Sequence, residues 1–481
     1  MSELHRKALT VPGSGKTISR KALSRQSSAA SSRATSRQNS RANSRIGSRV
    51  NTDDEGDLSD ETNFRCVLMQ VTIEASPRAS KRFLIPPSFH LCSEYRSSLT
   101  KDDHSSVAGE LSTFDELPEP SQDWQDVLGD LIERICDRKK LSYQGREEAF
   151  AGYIAILSAK YAKEGIVFKK SEIVDSALRS IKSSRTEKEA LLAAKALGLT
   201  IITDPTEDVY DKVSQMFKRT ISDHESLLLK SALIHHLGAA AFYGGATTVE
   251  TEGIMNFFLE IIESDGHNVG AGDDAGVVTA ALEEWGFLCT QLEDAENITA
   301  DSIDALVEQL DSSEVSVQVA AGENIALLYE KSYTEAEEDE LDDPNEAGKK
   351  WVQRYQPYGR TEALKETLAG LSSGSRRYLS KRNKKAQRSA FGDILHSLDD
   401  PLKGPRFSEA LDRNGAVKGS RITVRVHKTG VLRVDKWWKL LRLQHLRRLL
   451  GGGFLNHWVE NPVIFESLRY ELLAVREWSV Y

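Results

Sequence analysis

Gly15-Lys16-Thr17 closes the stretch "TVPGSGKTIS", Thr10 to Ser19, whose residue types are those that hold a nucleotide phosphate. A P-loop reads G-x-x-x-x-G-K-[S/T]: its backbone N–H groups wrap the phosphates, its lysine reaches the outer ones and its hydroxyl holds Mg²⁺. The first glycine belongs at position 10, where Thr10 stands. A buried strand must lead in and a helix lead out, yet "MSELHRKALTV" has no β-branched run and "SRKALSRQSSAASSRATSRQNSR" has no apolar stripe. The motif reads as a Gly/Ser turn in a flexible tail.

Other chemistry-bearing residues do not converge in the sequence either. His235 and His236 are adjacent, so on a helix they cannot both face one metal, and a core or capping role suits them better. There is no Gly-x-Ser-x-Gly elbow, and "GGAT" at Gly244 and "GHNVGAGDDAG" at Gly266 lack the strand–helix setting of a dinucleotide fingerprint. Cys66, Cys92, Cys136 and Cys289 are scattered with no Cys-x-x-Cys pair, which indicates neither a zinc site nor a disulfide framework and points to a reducing compartment. The expectation is no catalytic residue, no metal, no cofactor and no small-molecule substrate: a protein that is not an enzyme.

What remains is charge. The formal net charge of −9 hides a split, because residues 1–50 hold eight Arg and three Lys against Glu3 alone, a balance of +10 that leaves −19 for the rest. From Ser32 a Ser-Arg pair recurs every fourth residue, and each Arg lies three residues before the next Ser. That spacing suits a kinase that reads basic residues, with Ser36, Ser40, Ser44 and Ser48 as candidate acceptors whose phosphates would reverse the tail's charge. The Arg- and Ser-rich start also resembles a transit peptide, but it has too few large apolar residues for an amphipathic helix, and disorder ranks above it.

A second cationic run, Arg376, Arg377, Lys381, Arg382, Lys384, Lys385 and Arg388, contains no acid. It could cover the phosphates of RNA or DNA, and Lys381-Arg382-Asn383-Lys384 fits a short nuclear-import pattern. Arg442, Arg447 and Arg448 in "DKWWKLLRLQHLRRLLGGGF" are further candidate contacts to nucleic acid or a ribosome. In that stretch Asp435 can cap a helix and Gly451 can end it, while Trp437, Leu441 and Leu446 point in different directions. The helix should therefore pack on more than one side while its basic heads reach water.

These residues need elements to hold them. The 481 residues, with 40% apolar content, suffice for about three domains. No run of about 18 apolar residues occurs; "LLLKSALIHHLGAAAFY" is broken by Lys230 and two histidines, so no membrane span is expected. Residues 1–63 read as a disordered Ser/Arg-rich and then acidic tail, and 64–120, broken by five prolines, as an irregular lead-in. Residues 121–332 read as helical repeats: "LLAAKALGLTI" ending at Gly198, "LLLKSALIHHLGAAA" with Gly238, "VVTAALEEWGFLC" with Gly286 and "VSVQVAAGENIALLY" recur at steps of about 40 to 48 residues. Each pairs with a second helix, as "VYDKVSQMFKRTI" and "GIMNFFLEII" show. That period predicts an all-α, armadillo- or HEAT-like solenoid. An acidic loop at 333–348, a basic helical segment at 349–414 and a small C-terminal domain at 415–481 follow, the last opening with a hairpin that turns near Lys428 to Gly430.

The chain resembles the interferon-related developmental regulator family. "SKRNKKAQRSAFGDIL" resembles that family's basic stretch, and "LRVDKWWKLLRLQHLRRLLGGGFLNHWVENPVIFE", with its Asp-x-Trp entry, Leu-Gly-x-Gly turn, His457 and Asn461, resembles its C-terminal domain. The resemblance covers roughly residues 125–468 and is densest in the last hundred. It implies a non-enzymatic regulator of gene expression that docks to ribosomes or to transcriptional co-repressor complexes, in the cytoplasm, the nucleus or both. The serine-arginine tail and residues 469–481 depart from the family's pattern. The competing reading is an armadillo-type adaptor with a peptide in its concave groove, for which only Trp285 and Asn324 stand where an Asn/Trp ladder would need them.

Overall fold

A computed structural model describes residues 123–336, 340, 351–373, 381–407, 423–425, 430–468 and 471–472. The N-terminal tail, with Lys16 and the serines of the Ser-Arg repeat, lies outside the described residues.

The helices alternate between two layers. The first holds α1 (Asp123–Cys136), α4 (Lys170–Ser183), α6 (Val209–Asp223), α8 (Thr248–Glu263) and α10 (Glu296–Glu308). The second holds α2 (Tyr143–Ala159), α5 (Glu187–Thr203), α7 (Leu227–Tyr243), α9 (Ala275–Cys289) and α11 (Val315–Lys331), each packed on the next. A short helix, α3 (Lys163–Ile166), precedes α4. This is the helical-repeat stack that the 40- to 48-residue steps predict.

The two layers differ in pattern because they differ in burial. In α6, Val209, Val213, Phe217 and Ile221 line one buried face and the opposite face is charged. The helices α5, α7, α9 and α11 are apolar on nearly all sides, since both their flanks and their outer faces are covered. Ser142, Thr186, Ser226, Thr247 and Asp274 each cap a helix by accepting a backbone N–H, which marks where each unit restarts.

The repeated glycines do not end helices. Gly198, Gly238 and Gly286 lie inside α5, α7 and α9. A Cβ at Gly198 would stand 2.5 Å from His236 Nδ1, one at Gly238 2.2 Å from Glu284 Oε2, and one at Gly286 1.9 Å from Asn324 Oδ1. Each glycine is thus a slot that receives a polar side chain from the next helix of the layer. Asn324, offered above as part of a peptide ladder, donates to Leu282 O at 2.8 Å and links α11 to α9.

After α11, β1 (Tyr333–Glu335) pairs antiparallel with β2 (Trp351–Gln353) across the acidic segment, two strands that the sequence reading leaves out. Then α12 (Thr361–Ser373) packs on α13 (Lys381–Asp399), and α13 packs on α11, so the basic segment extends the stack by one further pair. The expected hairpin is present: β3 (Thr423–Arg425) pairs with β4 (Gly430–Arg433), and β4 with β5 (Glu471–Leu472). Between β4 and β5 come α14 (Trp437–Leu450), α15 (Phe454–Glu460) and α16 (Pro462–Ser467).

Candidate functional site

Two surfaces bear on function: the outer face of the second layer, where a peptide groove was expected, and the cationic face of α13.

The first is occupied by the chain itself. From Trp437 onward the C-terminal segment crosses α11, α9, α7, α5 and α2, in the reverse of their order in the sequence. Trp437, Leu441, Leu443, Leu446, Leu449 and Leu450 are buried, which explains why the apolar residues of α14 form no single stripe. Its backbone ends are met by a carboxyl group, which burial pushes up to about 7, at one end and an ammonium at the other. Glu330 on α11 accepts from Trp437 N at 2.8 Å and Trp438 N at 3.3 Å, and Lys195 on α5 donates to Arg448 O at 2.8 Å and to Leu449 O. An acid at the N-terminus and a cation at the C-terminus match the helix dipole and satisfy groups that the helix itself leaves unpaired. The cap expected from Asp435 is therefore supplied by Glu330, and Asp435 pairs with Lys439 at 2.7 Å. Gly451, at φ +58°, ends the helix as expected.

The middle of α14 is fixed by a buried charged cluster. Glu284 on α9, fully buried, accepts from His235 Nδ1 at 2.8 Å, Arg448 Nη1 at 2.7 Å and His445 Nδ1 at 3.0 Å. Burial presses its carboxyl upward, but the His445 imidazole and hydrogen bonds from His235 and His445 outweigh it and hold the group well below the ordinary carboxylate range. The His445 ring stacks on Phe287 with centroids 3.8 Å apart. His235 and His236 point apart, as adjacency dictates: His235 reaches Glu284, while buried His236 fills the slot at Gly198.

Arg442 and Arg448, expected as external contacts, are engaged by the fold. Arg442 donates to Thr290 Oγ1 at 2.9 Å, Thr290 O at 3.1 Å and Ser467 O at 3.2 Å, between the rings of Phe242 and Trp438, each 5.0 Å away. Arg448 pairs with Glu284 and, at 2.9 Å, with Glu283. Their heads turn onto the second layer, which presents acids and carbonyls directly beneath them, and both side chains are half-buried. Arg447 alone of the three is exposed. Past the turn, His457 Nε2 donates to Leu157 O at 2.6 Å and Asn461 Nδ2 to Ile202 O at 2.9 Å, so both bind backbone carbonyls at the C-terminal ends of second-layer helices.

The cationic face lies on α13. Gln387, Ala390, Phe391, Ile394 and Leu398 turn inward. Lys385 and Arg388 are exposed and Lys384 is half-buried, with Lys381 in the same register at i, i+3, i+4 and i+7. Arg382 lies in the first turn of this helix, and Arg376 and Arg377 are outside the described residues. Among the described residues no three His, Cys, Asp or Glu side chains are grouped to hold a metal, and no helix is long and apolar enough to cross a membrane.

The contacts that anchor α14 went unread in the sequence. Lys195, Glu284 and Glu330 are charged residues set among apolar neighbours in largely buried helices. Burying such a charge requires a partner, and the opposite charges and free helix ends of the Trp437–Leu450 stretch were the available signal.

A family model described as Interferon-related developmental regulator (IFRD) matches residues 92–399. It ends with α13, short of the C-terminal segment in which the resemblance read from the sequence is densest. An uncharacterized protein of Schizosaccharomyces pombe is 27% identical over 356 residues, covering 73% of this chain and 75% of its own. Interferon-related developmental regulator 1 of Sus scrofa is 23% identical and interferon-related developmental regulator 2 of Mus musculus 24%, each alignment covering 71% of both chains.

Proposed function

The chain belongs to the interferon-related developmental regulator family, and from that membership we propose that it is a non-enzymatic regulator of gene expression that docks on ribosomes. The observation that carries this reading is the face of α13, where Lys385 and Arg388 project outward from a helix whose other face is anchored in the stack. Cations held on a rigid helix suit a phosphate backbone, and each phosphate they neutralise releases counterions. Arg447 adds an exposed cation on α14. The solenoid then serves as the scaffold that holds this face at a fixed angle to whatever else the chain touches.

Docking to a transcriptional co-repressor complex is the second reading, favoured by the import-like pattern Lys381-Arg382-Asn383-Lys384. A peptide-binding adaptor is disfavoured, since α14 to α16 cover the second layer where the peptide would lie.

The test is sedimentation of the full chain with ribosomal subunits at low and moderate salt. Binding at low salt that weakens steeply as salt rises is expected. A chain that stays in the supernatant at low salt, and in cells concentrates in the nucleus only while Lys381 to Lys385 are intact, moves the assignment to the co-repressor reading.

A further inference from the structure

Between α11, α13 and α14 the surface dips into a recess that no part of the docking account uses. Its lining includes Glu323, Asp393, Pro405, Arg406, Trp437, Leu440 and Gln444. Glu323 is only 7% exposed. Its one hydrogen-bond partner among the described residues is Gln444, whose Nε2 stands 3.2 Å from both carboxylate oxygens. A carboxylate offers about four lone-pair sites, so a single bridging N–H leaves most of them unmet. No cation among the described residues forms an ion pair with it. The charged groups that face it or line the recess are Glu283 from α9 and Asp393 from α13, both negative, Arg448 from α14, which is already engaged by Glu283 and Glu284, and Arg406 on the wall after α13, which forms no ion pair with it.

A buried carboxylate with no counter-ion is costly to keep, and one that opens onto a partly apolar recess is the usual form of a small binding site. We propose that this recess binds a primary ammonium carried on an apolar stem, with the ammonium on Glu323 and the stem along Pro405, Trp437 and Leu440. The geometry separates ammonium from guanidinium. A guanidinium pairs best by two parallel bonds across both carboxylate oxygens, and Gln444 already spans that edge. An ammonium is a compact point charge that needs only one outward lone pair. The stem can belong to a free polyamine or to a lysine side chain of a partner protein. The inference stands whether or not the chain docks on ribosomes.

The test is calorimetric titration of the full chain at pH 8 with cadaverine, with butylguanidine, and with N-acetyl-Gly-Lys-Gly amide. Binding of cadaverine alone assigns a free diamine, and binding of the lysine peptide assigns a protein side chain. Butylguanidine, which carries a guanidinium on an apolar stem and no primary ammonium, should bind more weakly than cadaverine. Glu323→Gln keeps the bond from Gln444 while removing the charge, and should weaken binding by about tenfold or more. Unmutated protein gives a second measurement. Burial pushes the Glu323 carboxyl up to about 7, so affinity should fall about tenfold between pH 8 and pH 6 as the group takes up a proton. No binding of either ammonium probe at pH 8, binding by Glu323→Gln equal to wild type, or affinity indifferent to pH would each overturn the assignment.

Discussion

The carboxylate of Glu330 accepts the backbone N–H of Trp437 at 2.8 Å, so α14 begins on a side chain that lies 107 residues earlier in the chain. Lys195 performs the converse service at the other end, on the carbonyls of Arg448 and Leu449. The C-terminal segment is thereby integral to the stack, a strap that ties second-layer helices together in reverse order, with charged and polar contacts at several of the helices it crosses.

Glu330→Ala leaves two helix N–H groups buried without acceptors and should cost about 1–3 kcal/mol. Glu330→Gln, which can still accept one bond, should cost less. Urea unfolding gives the totals, and hydrogen exchange at the first turn of α14 shows where the loss falls. Wild-type protection at Trp437 and Trp438 in the alanine variant would mean that the cap is idle.

Removing Glu284 strips the acceptor from His235, His445 and Arg448 together. Glu284→Ala leaves buried hydrogen-bond donors without an acceptor and should destabilise by roughly 1–3 kcal/mol, Arg448 keeping its pair with Glu283. Replacing both Glu284 and Arg448 should cost less than the sum of the two single changes, and a double-mutant cycle in urea measures the difference. Additive losses would show that the two groups do not interact.

The slots opened by the repeated glycines separate two kinds of helical glycine. Gly238→Ala drives a Cβ to 2.2 Å from Glu284 Oε2, whereas Gly253 on α8 has nothing within 4 Å of the corresponding position. Thermal unfolding should find Gly238→Ala destabilised by about 1–3 kcal/mol and Gly253→Ala stabilised by about 0.5–1 kcal/mol. The same sign for both would remove the slot interpretation.

Burial pushes the Glu323 carboxyl up to about 7 from an ordinary 4.5. The folded chain then holds a proton that the unfolded chain releases, so this group's contribution is fully present below about pH 4.5 and is lost as pH rises through about 7. Glu323→Gln should therefore match wild type near pH 5 and exceed it at pH 8, by on the order of 1–3 kcal/mol. Denaturant midpoints at the two pH values check it, and an advantage confined to pH 5 would reverse the sign.

Periodicity made the solenoid legible, because each repeat restates the same alternation of an amphipathic helix and an apolar one. The glycines at 198, 238 and 286 were visible as a rhythm but were read as helix ends. Their partners His236, Glu284 and Asn324 lie 38 to 46 residues away, and a local pattern carries no sign of such a contact. The hairpin of β3 and β4 and the end of α14 at Gly451 were legible from local turn chemistry. The destination of α14 was not: an arginine bound for solvent and one bound for Glu284 look alike in sequence. Arg442 and Arg448 therefore passed as surface cations. The basic run near Lys385 could be recognised as a charged face because an apolar set, Phe391, Ile394 and Leu398, alternates with it at helical spacing.

The cationic face of α13 gives the most direct test of the account. Lys385→Glu with Arg388→Glu reverses two exposed charges and leaves every contact of α14 in place. Sedimented with ribosomal subunits at low salt, this variant should lose binding by about tenfold or more while it remains folded. Sedimentation indistinguishable from wild type, with the fold intact, would contradict the assignment of α13 as the docking face.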